Sequence, residues 1–336
     1  MPERLAVEVA GLAVRFRQRE RTIHAVNGVS FRLERGEVLG ILGESGCGKS
    51  VTLRALMRLL PANCEIDGRI VINGEDVTEA PAARLEELRG GTVAMIFQEP
   101  ASALDPVFTI GEQISETIVR HEGINRHQAR QRALELLERV QIPSARRRLA
   151  SYPHEMSGGM RQRAMIALAL SCNPSVLLAD EPTTALDVTV QIQILLLLRE
   201  LQRELGMAVI FVTHDVGAAV EVSDRLAVMY AGRFVETGSV RDVLMQRAHP
   251  YTEGLLAANL HAAEPGARLT TIPGSPPNLA VLPQGCDFAP RCPHVLDGCG
   301  KTDPPEVLCG DGHLARCLRV EERLGAFVGP VLATGR

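Results

Sequence analysis

The segment that most constrains the fold spans residues 43–50 and reads Gly-Glu-Ser-Gly-Cys-Gly-Lys-Ser. It fits the pattern G-x-x-x-x-G-K-[ST], in which a glycine-rich loop joins a strand to the first turn of a helix. A β-prone run at residues 37–42 comes before it, and a helical stretch at residues 49–60 follows. In such a loop, backbone N–H groups and the helix N-terminus can face phosphate oxygens. The sequence therefore predicts a phosphate-binding loop within an α/β fold.

Each residue type in this loop has an expected role. Lys49 is expected to neutralise β and γ phosphates, and the hydroxyl of Ser50 is expected to reach Mg²⁺. The alternative for the loop is an ordinary glycine turn without a ligand. For Cys47, Cys64 and Cys172, a packing role is the simpler interpretation. The predicted phosphate-binding set also includes Gly43, Glu44, Ser45, Gly46, Cys47, Gly48 and Val51.

Two carboxylates follow a second apolar run, at residues 176–179. Ligands of open parallel sheets bind at the carboxyl ends of the strands, where Asp180 and Glu181 would lie. Asp180 is expected to hold Mg²⁺ directly or through water, and Glu181 to accept a proton from the attacking water or orient it. An isolated acidic pair at a strand end is as often a solvated loop or a helix cap. The phosphate loop favours the catalytic interpretation.

About twenty residues before this strand, the chain reads Ser157-Gly158-Gly159-Met160-Arg161-Gln162. This segment resembles the signature sequence of ATP-binding-cassette (ABC) ATPases. A serine and two glycines that open a helix form another anion-binding N-terminus, here for a γ phosphate. The resemblance implies that each ATP is held between the phosphate loop of one subunit and the signature helix of another. The alternative is a serine-capped helix without a ligand.

Other matches to this family follow in its order. Gln98 resembles the glutamine that senses Mg²⁺ and the γ phosphate, and Asp187 resembles an aspartate at the dimer interface. His214 resembles the histidine that contacts the γ phosphate, although a single histidine after a strand is more often structural. Phe16 lies where the family stacks an aromatic ring on adenine, and a role in the apolar core is the alternative.

The predicted fold class is α/β, a P-loop NTPase of the ABC ATPase type. Short β-prone runs before residue 72 and after residue 225 predict a mixed sheet core and an antiparallel β subdomain. Helical periodicity predicts an inserted helical subdomain at about residues 100–172. Prolines and cysteines accumulate in the tail, so the predicted domains are 1–240 for the ATPase and 241–336 for a Cys-rich C-terminal extension.

The tail carries a narrower resemblance. His249-Pro250-Tyr251-Thr252 and Ile272-Pro273-Gly274, followed by clustered cysteines, resemble the extension of ATPase subunits of dipeptide, oligopeptide and nickel importers. Most of the family has Gln at the position of Met160. A methionine at this position resembles the D-type subunit of those importers. The resemblance implies a peptide-import ATPase that pairs with a second, non-identical ABC ATPase subunit and two membrane permease subunits. It also implies an indirect partnership with an extracytoplasmic solute-binding protein.

Three other functions stay open at this point. The chain could drive import of nickel, glutathione or another small solute. It could be a soluble ABC ATPase without a transport role, although those usually carry two cassettes, zinc modules or coiled coils in one chain. A nucleotide-binding module without turnover is the third alternative, and the combination of Lys49, Asp180, Glu181 and His214 argues against it.

Four cysteines of the tail form a candidate metal site. Cys286, Cys292, Cys299 and Cys317 lack the paired C-x₂-C elements of zinc fingers. Four thiolates can hold a [4Fe-4S] cluster, which the resembling importer subunits carry. Structural Zn²⁺ and free thiols are the alternatives, and Cys309 would be the spare thiol. The expected cofactors are ATP, Mg²⁺ and this cluster.

Charge and hydropathy limit the location and the partners of the chain. The net charge of −4, from 36 Lys and Arg against 40 Asp and Glu, gives no overall basic field for nucleic acid. Apolar runs such as residues 194–198 fall far short of the roughly 18 residues that span a bilayer. Glu3, Arg4 and Glu8 interrupt any apolar secretion signal. With the resemblance, these features predict a peripheral protein on the cytoplasmic face of the inner membrane.

Overall fold

The computed structural model describes residues 5–19, 21–258, 271–324 and 329–330. Glu3 and Arg4, two of the charged residues that are expected to interrupt a secretion signal, lie outside these residues. The strands are β1 (Leu5–Arg17), β2 (Thr22–Glu34), β3 (Val38–Leu42), β4 (Cys64–Ile72), β5 (Glu75–Asp76), β6 (Val93–Ile96), β7 (Val176–Asp180), β8 (Ala208–Thr213), β9 (Arg225–Tyr230), β10 (Arg233–Ser239), β11 (Val307–Gly310), β12 (His313–Ala315) and β13 (Gly329–Pro330).

Helices alternate with these strands along most of the chain. They are α1 (Lys49–Leu56), α2 (Ala82–Gly91), α3 (Pro100–Ala103), α4 (Ile110–Glu122), α5 (Arg126–Arg139), α6 (Ala145–Arg148), α7 (Gly158–Ala169), α8 (Val188–Leu205), α9 (Val216–Val222), α10 (Val240–Gln246), α11 (Pro250–Ala257) and α12 (Val320–Leu324). Within the described residues, no helix is both long and apolar enough to cross a bilayer.

The chain divides into two compact units. The first contains residues 5–8, Arg32–Val38 and Val71–Val212, and its centre is a set of three parallel strands in the order β6, β7, β8. Every residue of these three strands is buried. Their sequences are continuous apolar runs, as expected of parallel strands that are covered on both faces.

Helices α3 to α7 fill the segment that the periodicity assigned to a helical insertion. Thr109 begins α4 with a capping box, in which its hydroxyl accepts the N–H of Glu112 and the Glu112 carboxylate accepts the N–H of Thr109. Asn125 caps α5, since its side-chain oxygen accepts the N–H of Gln128. The buried faces of the two helices include Ile114 and Leu137. The predicted helical subdomain is therefore present in the first unit.

The second unit contains Val9–Phe31, Leu39–Ile70 and the described residues from 213 onward. Its mixed sheet runs β3, β9, β10, β12, β11, β13, with β3 parallel to β9 and the remaining pairs antiparallel. The β-prone runs at residues 225–230 and 233–235 flank Ala231-Gly232, a pattern that predicts a hairpin, and the structure contains it. Both residues have positive φ, of 50° and 79°, which suits the tight turn between β9 and β10. The strands β2, β1, β4 and β5 form a separate four-stranded sheet, in which β4 and β5 are antiparallel.

Two elements differ from the sequence-based expectation. Helix α1 ends at Leu56 and not at residue 60, because the backbone of Arg58 has a φ of 53°, outside the helical region. The sequence predicts two short β-prone runs, at residues 23–26 and 31–33, where the structure has the single strand β2, which continues through Gly28 at a φ of 77°. Asn27 supports this irregularity, since its side-chain amide donates to the carbonyls of His24 and Ala231.

Candidate nucleotide site

The loop between β3 and α1 has the backbone that its glycines predict. A Cβ atom on Gly43 would lie 2.3 Å from the carbonyl oxygen of Met229, so no larger residue fits there. Gly48 has a φ of 110°, and its Cβ would lie 2.4 Å from the carbonyl oxygen of Ala25. These two glycines therefore let the loop curl closely against its neighbours before α1 begins at Lys49.

Lys49 lies inside this curl with 4% of its surface exposed. Its ammonium donates to the carbonyl oxygens of Gly43, at 2.7 Å, and Glu44, at 2.9 Å. Cys47 is also buried, and burial raises the pKa of its thiol in spite of the nearby Lys49. A neutral, buried thiol at this position agrees with a packing role for Cys47.

Glu44 of the loop is held by two residues of the C-terminal extension. Its carboxylate accepts two hydrogen bonds from the guanidinium of Arg291, at 2.7 and 3.0 Å. Its backbone N–H donates to the hydroxyl of Tyr251 at 2.9 Å. Arg291 belongs to none of the predicted motifs, and Tyr251 appears only in the His249-Pro250-Tyr251-Thr252 segment that resembles the importer subunits. No local sequence signal identifies this pair, because the partners lie more than 200 residues apart.

In the first unit, the two candidate catalytic carboxylates lie at the carboxyl end of β7, as predicted. Asp180 is 1% exposed. Glu181 follows with a φ of 46°, and its N–H donates to the carbonyl of Val212. One carboxylate oxygen of Glu181 accepts hydrogen bonds from the side-chain amide of Gln98, at 3.2 Å, and from the hydroxyl of Thr184, at 2.9 Å. The structure thus brings Gln98 and Glu181 together and adds Thr184.

The signature segment forms the start of α7. The Ser157 hydroxyl caps this helix by accepting the N–H of Met160 at 3.3 Å. A Cβ atom on Gly159 would lie 2.7 Å from Cγ1 of Val190, in the first turn of α8. Asp187 caps α8 through the N–H of Val190. These contacts give Ser157, Gly159 and Asp187 structural roles in the first unit, beside any role at a nucleotide.

The other predicted nucleotide residues belong to the second unit, together with the phosphate loop. Phe16 is half-buried in β1, which leaves both of its predicted roles open. His214 is exposed immediately after β8. The next residue, Asp215, caps α9 through the N–H of Ala218.

None of the described tail cysteines forms a disulfide, and their sulfurs make different hydrogen bonds. The sulfur of Cys292 accepts the N–H of His294, that of Cys299 the N–H of Leu296, and that of Cys317 the N–H of Arg319, each at 3.4 Å. Cys309 donates its S–H to the carbonyl of Val307.

Cys286 lies close to Cys299 and Cys317. Its backbone N–H donates to the carbonyl of Cys299 at 2.7 Å. Burial raises the pKa of its thiol to about 11, and the nearby Cys317 and Cys299 add to that increase. Across the described residues, however, no three His, Cys, Asp or Glu side chains converge as a metal-binding group. The predicted [4Fe-4S] cluster thus has no support from side-chain positions.

Comparison with known proteins places these features in a family. Residues 26–184 match the family model described as ABC transporter, and residues 235–299 match the one described as oligopeptide/dipeptide transporter, C-terminal region. The chain is 47% identical to the oligopeptide transport ATP-binding protein OppD of Salmonella typhimurium, over 96% of each chain. It is 45% identical to the dipeptide transport ATP-binding protein DppD of Bacillus subtilis, over 94% of this chain and 95% of the relative.

A solved structure agrees with this assignment. The ATP-binding cassette MJ0796, determined as a dimer in a post-hydrolysis state with ADP and Pi, superimposes with a TM-score of 0.63 and 29% identity. The match covers 70% of this chain and 99% of that one. The chain belongs to the ABC transporter ATPase family, among the members that carry the oligopeptide/dipeptide transporter C-terminal region.

Proposed function

We propose that this chain hydrolyses ATP to drive the import of di- or oligopeptides through a membrane permease. The observation that carries the proposal is the position of the Glu181 carboxylate. Glu181 follows the buried Asp180, and its carboxylate accepts hydrogen bonds from Gln98 and Thr184. The names of the two relatives, which specify oligopeptide and dipeptide transport, support the substrate class.

Each residue of the site has a distinct part in this function. The loop N–H groups and the Lys49 ammonium bind the phosphates, and Phe16 stacks on the adenine. Mg²⁺, when bound, neutralises phosphate charge, and the Ser50 hydroxyl and the Asp180 carboxylate are each an oxygen ligand of the type it prefers.

Hydrolysis needs a base near the attacking water. Glu181 accepts the proton of that water, while Gln98 and His214 orient groups around the γ phosphate. The side-chain amide of Gln98 already donates to the Glu181 carboxylate. In this proposal, that contact keeps the base in position.

The signature segment serves a second subunit. The N-terminus of α7, with Ser157, Gly158 and Gly159, contributes to the nucleotide site of a partner ATPase, and Asp187 lies at the interface between them. The dimeric ABC cassette structure to which this chain is similar supports such an arrangement. Met160 in the signature favours a partner that is non-identical to this chain.

The substitution Glu181→Gln tests the catalytic assignment. The amide keeps the size of the side chain but cannot accept the proton, so we expect Mg-ATP binding to persist while steady-state turnover falls by at least about a hundredfold. Phosphate release is the measurement, and calorimetry with Mg-ATP is the control for binding. Unchanged turnover would remove Glu181 from the role of base.

The permease would dock on the helical subdomain. A groove of about 770 Å³ is lined there by Phe108, Glu112, Val119 and Arg126, among other residues of α4 and α5. Two large apolar side chains are exposed near it, Val107 at 70% and Phe108 at 49%. A rigid helix of a membrane subunit that carries apolar and charged residues fits this lining. The chain would thereby be held at the cytoplasmic face of the membrane.

Charge placed on this groove should weaken the assembly. We expect Phe108→Asp to reduce co-purification with the permease subunits, because burying an aspartate against an apolar partner is costly. The control is Met245→Asp, which changes another exposed apolar residue, 78% exposed, in the other unit. Equal recovery of permease with both variants would contradict the docking site.

We also propose that Cys286, Cys292, Cys299 and Cys317 bind a [4Fe-4S] cluster. The support is chemical: three of the four sulfurs accept backbone N–H groups, which stabilise thiolates and are common around iron–sulfur clusters. The cluster would stabilise the extension, because little regular structure orders the chain between residues 271 and 306.

Visible absorbance and iron content of anaerobically purified protein test the cluster. Cys292→Ser should abolish both, whereas Cys309→Ser should leave both unchanged, because Cys309 uses its thiol as a donor to Val307. Colourless wild-type protein without iron would refute the cluster. Bound zinc in that protein would favour structural Zn²⁺ instead.

A further inference from the structure

Arg291 makes a complete set of contacts at the phosphate loop. Its Nη1 and Nη2 atoms donate to the two carboxylate oxygens of Glu44. The remaining N–H groups donate to the carbonyl of Pro273, the hydroxyl of Tyr230 and the carbonyl of Ile272, at 2.9 to 3.3 Å. All five guanidinium donors are therefore used, which fixes both the position and the orientation of the side chain.

Two aromatic rings lie close to the Arg291 guanidinium. Its guanidinium lies 5.8 Å from the ring centre of Tyr230 and 6.0 Å from that of Phe288. Tyr251 completes a cluster with these two rings, at centroid distances of 4.6 and 5.4 Å. The Arg291 side chain is 4% exposed, so its charge is shielded from water and interacts strongly with Glu44.

The loop backbone is held by the same cluster. The hydroxyl of Tyr251 accepts the N–H of Glu44, one residue after Gly43. Tyr251 itself is fully buried, and the N–H of Tyr251 donates to the ring of His249. The extension thus fixes both the backbone and the side chain of one loop residue.

These contacts neutralise a carboxylate, that of Glu44, which would otherwise repel the phosphates of a bound nucleotide. A carboxylate in a loop that binds a triphosphate places like charges close together, which disfavours nucleotide binding. The bidentate contact neutralises the Glu44 carboxylate and keeps it on Arg291. A loss of Arg291 would leave the carboxylate without this partner.

We propose that Arg291 and Tyr251 are positioning residues of the phosphate loop, through which the C-terminal extension sets the affinity of the site for nucleotide. Arg291 removes the repulsion between Glu44 and the phosphates, and Tyr251 fixes the loop backbone at Glu44. This proposal rests on the proposed role of the loop in binding the triphosphate.

A double-mutant cycle tests the role of Arg291. The measurement is the dissociation constant of Mg-ADP, which is not hydrolysed, by calorimetry on the full-length chain. Arg291→Ala should weaken binding about tenfold or more in the wild-type background. In the Glu44→Gln background, where no carboxylate is left to repel the phosphates, the same change should weaken binding less than about threefold.

The effects of Arg291→Ala in the wild-type and Glu44→Gln backgrounds distinguish a positioning role of Arg291 from a general structural role. If Arg291 merely stabilised the fold, its loss would weaken binding equally in both backgrounds, and that result would overturn the proposal. Unchanged affinity in the wild-type background would overturn it as well. Arg291→Lys, which keeps the charge but loses the bidentate geometry, should give an intermediate affinity.

If Arg291→Ala does not fold, Tyr251→Phe tests whether the extension positions the phosphate loop. It removes only the hydroxyl and leaves the ring packing in place, so far-UV circular dichroism should be unchanged while Mg-ADP binds at least about threefold more weakly. Unchanged affinity in the folded variant would overturn the proposal. Lys49→Ala tests the loop assignment separately: if it leaves binding unchanged, the proposed nucleotide site is wrong, whatever the result at Arg291.

Discussion

At the residue scale, the candidate base Glu181 is a carboxylate residue that is held at both its backbone and its side chain. Its φ of 46° is uncommon for a residue with a side chain and costs roughly 1–2 kcal/mol. The N–H of Glu181 donates to Val212, and its carboxylate accepts from Gln98 and Thr184. These contacts hold both ends of the residue, so the strained backbone directs the carboxylate to a defined position.

Thr184 is therefore predicted to orient the base. Thr184→Val removes the hydroxyl that donates to Glu181 and keeps the shape of the side chain. We expect kcat for ATP hydrolysis to fall about tenfold with little change in KM, because a hydrogen bond to a charged group contributes about 1.5–3 kcal/mol. Thr184→Ser retains the hydroxyl and is the matched control. A fall in kcat of the same size in both variants would contradict this role.

At the element scale, the start of α7 combines helix capping with close packing on α8. Ser157 satisfies the N–H of Met160, and Asp187 does the same for Val190 at the start of α8. Gly159 lies between the two helix starts, where a Cβ would be 2.7 Å from Val190. The glycine is thus required by packing within this unit, independently of any ligand.

Gly159→Ala should destabilise the protein by about 1–2 kcal/mol, since the added methyl group overpacks against Val190. In a Val190→Ala background the clash is absent, and the same change should be neutral or stabilising by up to about 1 kcal/mol, because alanine favours the helix. Chemical denaturation of the four proteins measures both values. Equal destabilisation in the two backgrounds would show that the contact with Val190 is not the cause.

At the scale of the whole molecule, the C-terminal extension is part of the core of the second unit. Tyr251 and Phe288, from beyond residue 240, pack in one cluster with Tyr230 from the ATPase region. The buried carboxylate of Glu236 accepts the N–H groups of Ala248 and His249 and contacts the ring of His313 at 2.8 Å. The extension thus supplies both apolar packing and the hydrogen-bond partners of a buried carboxylate.

A chain truncated after residue 240 tests whether the predicted boundary separates two domains. We expect it to unfold at a temperature at least about 10 °C lower than the full chain, because truncation exposes Tyr230 and removes these three partners of Glu236. Differential scanning calorimetry gives the comparison. An unchanged unfolding temperature would support independent domains at that boundary, which stays a prediction until this measurement.

The sequence by itself determined the family, the fold class and the local form of each motif. The phosphate loop, the strand end at Asp180 and the cap at Ser157 depend on residues a few positions apart, so their chemistry can be read along the chain. The resemblance that these motifs carry was confirmed by the family models and the relatives.

Only the tertiary structure decided which distant residues support those motifs. Arg291 reaches Glu44 across 247 positions, and nothing in the residues around either one encodes the other. The hydrogen bond that Cys292 accepts from His294 and the one that Cys309 donates to Val307 depend on backbone turns, which the spacing of the cysteines does not specify. Local motifs are fixed by neighbouring residues, whereas contacts between distant side chains depend on how the whole chain packs.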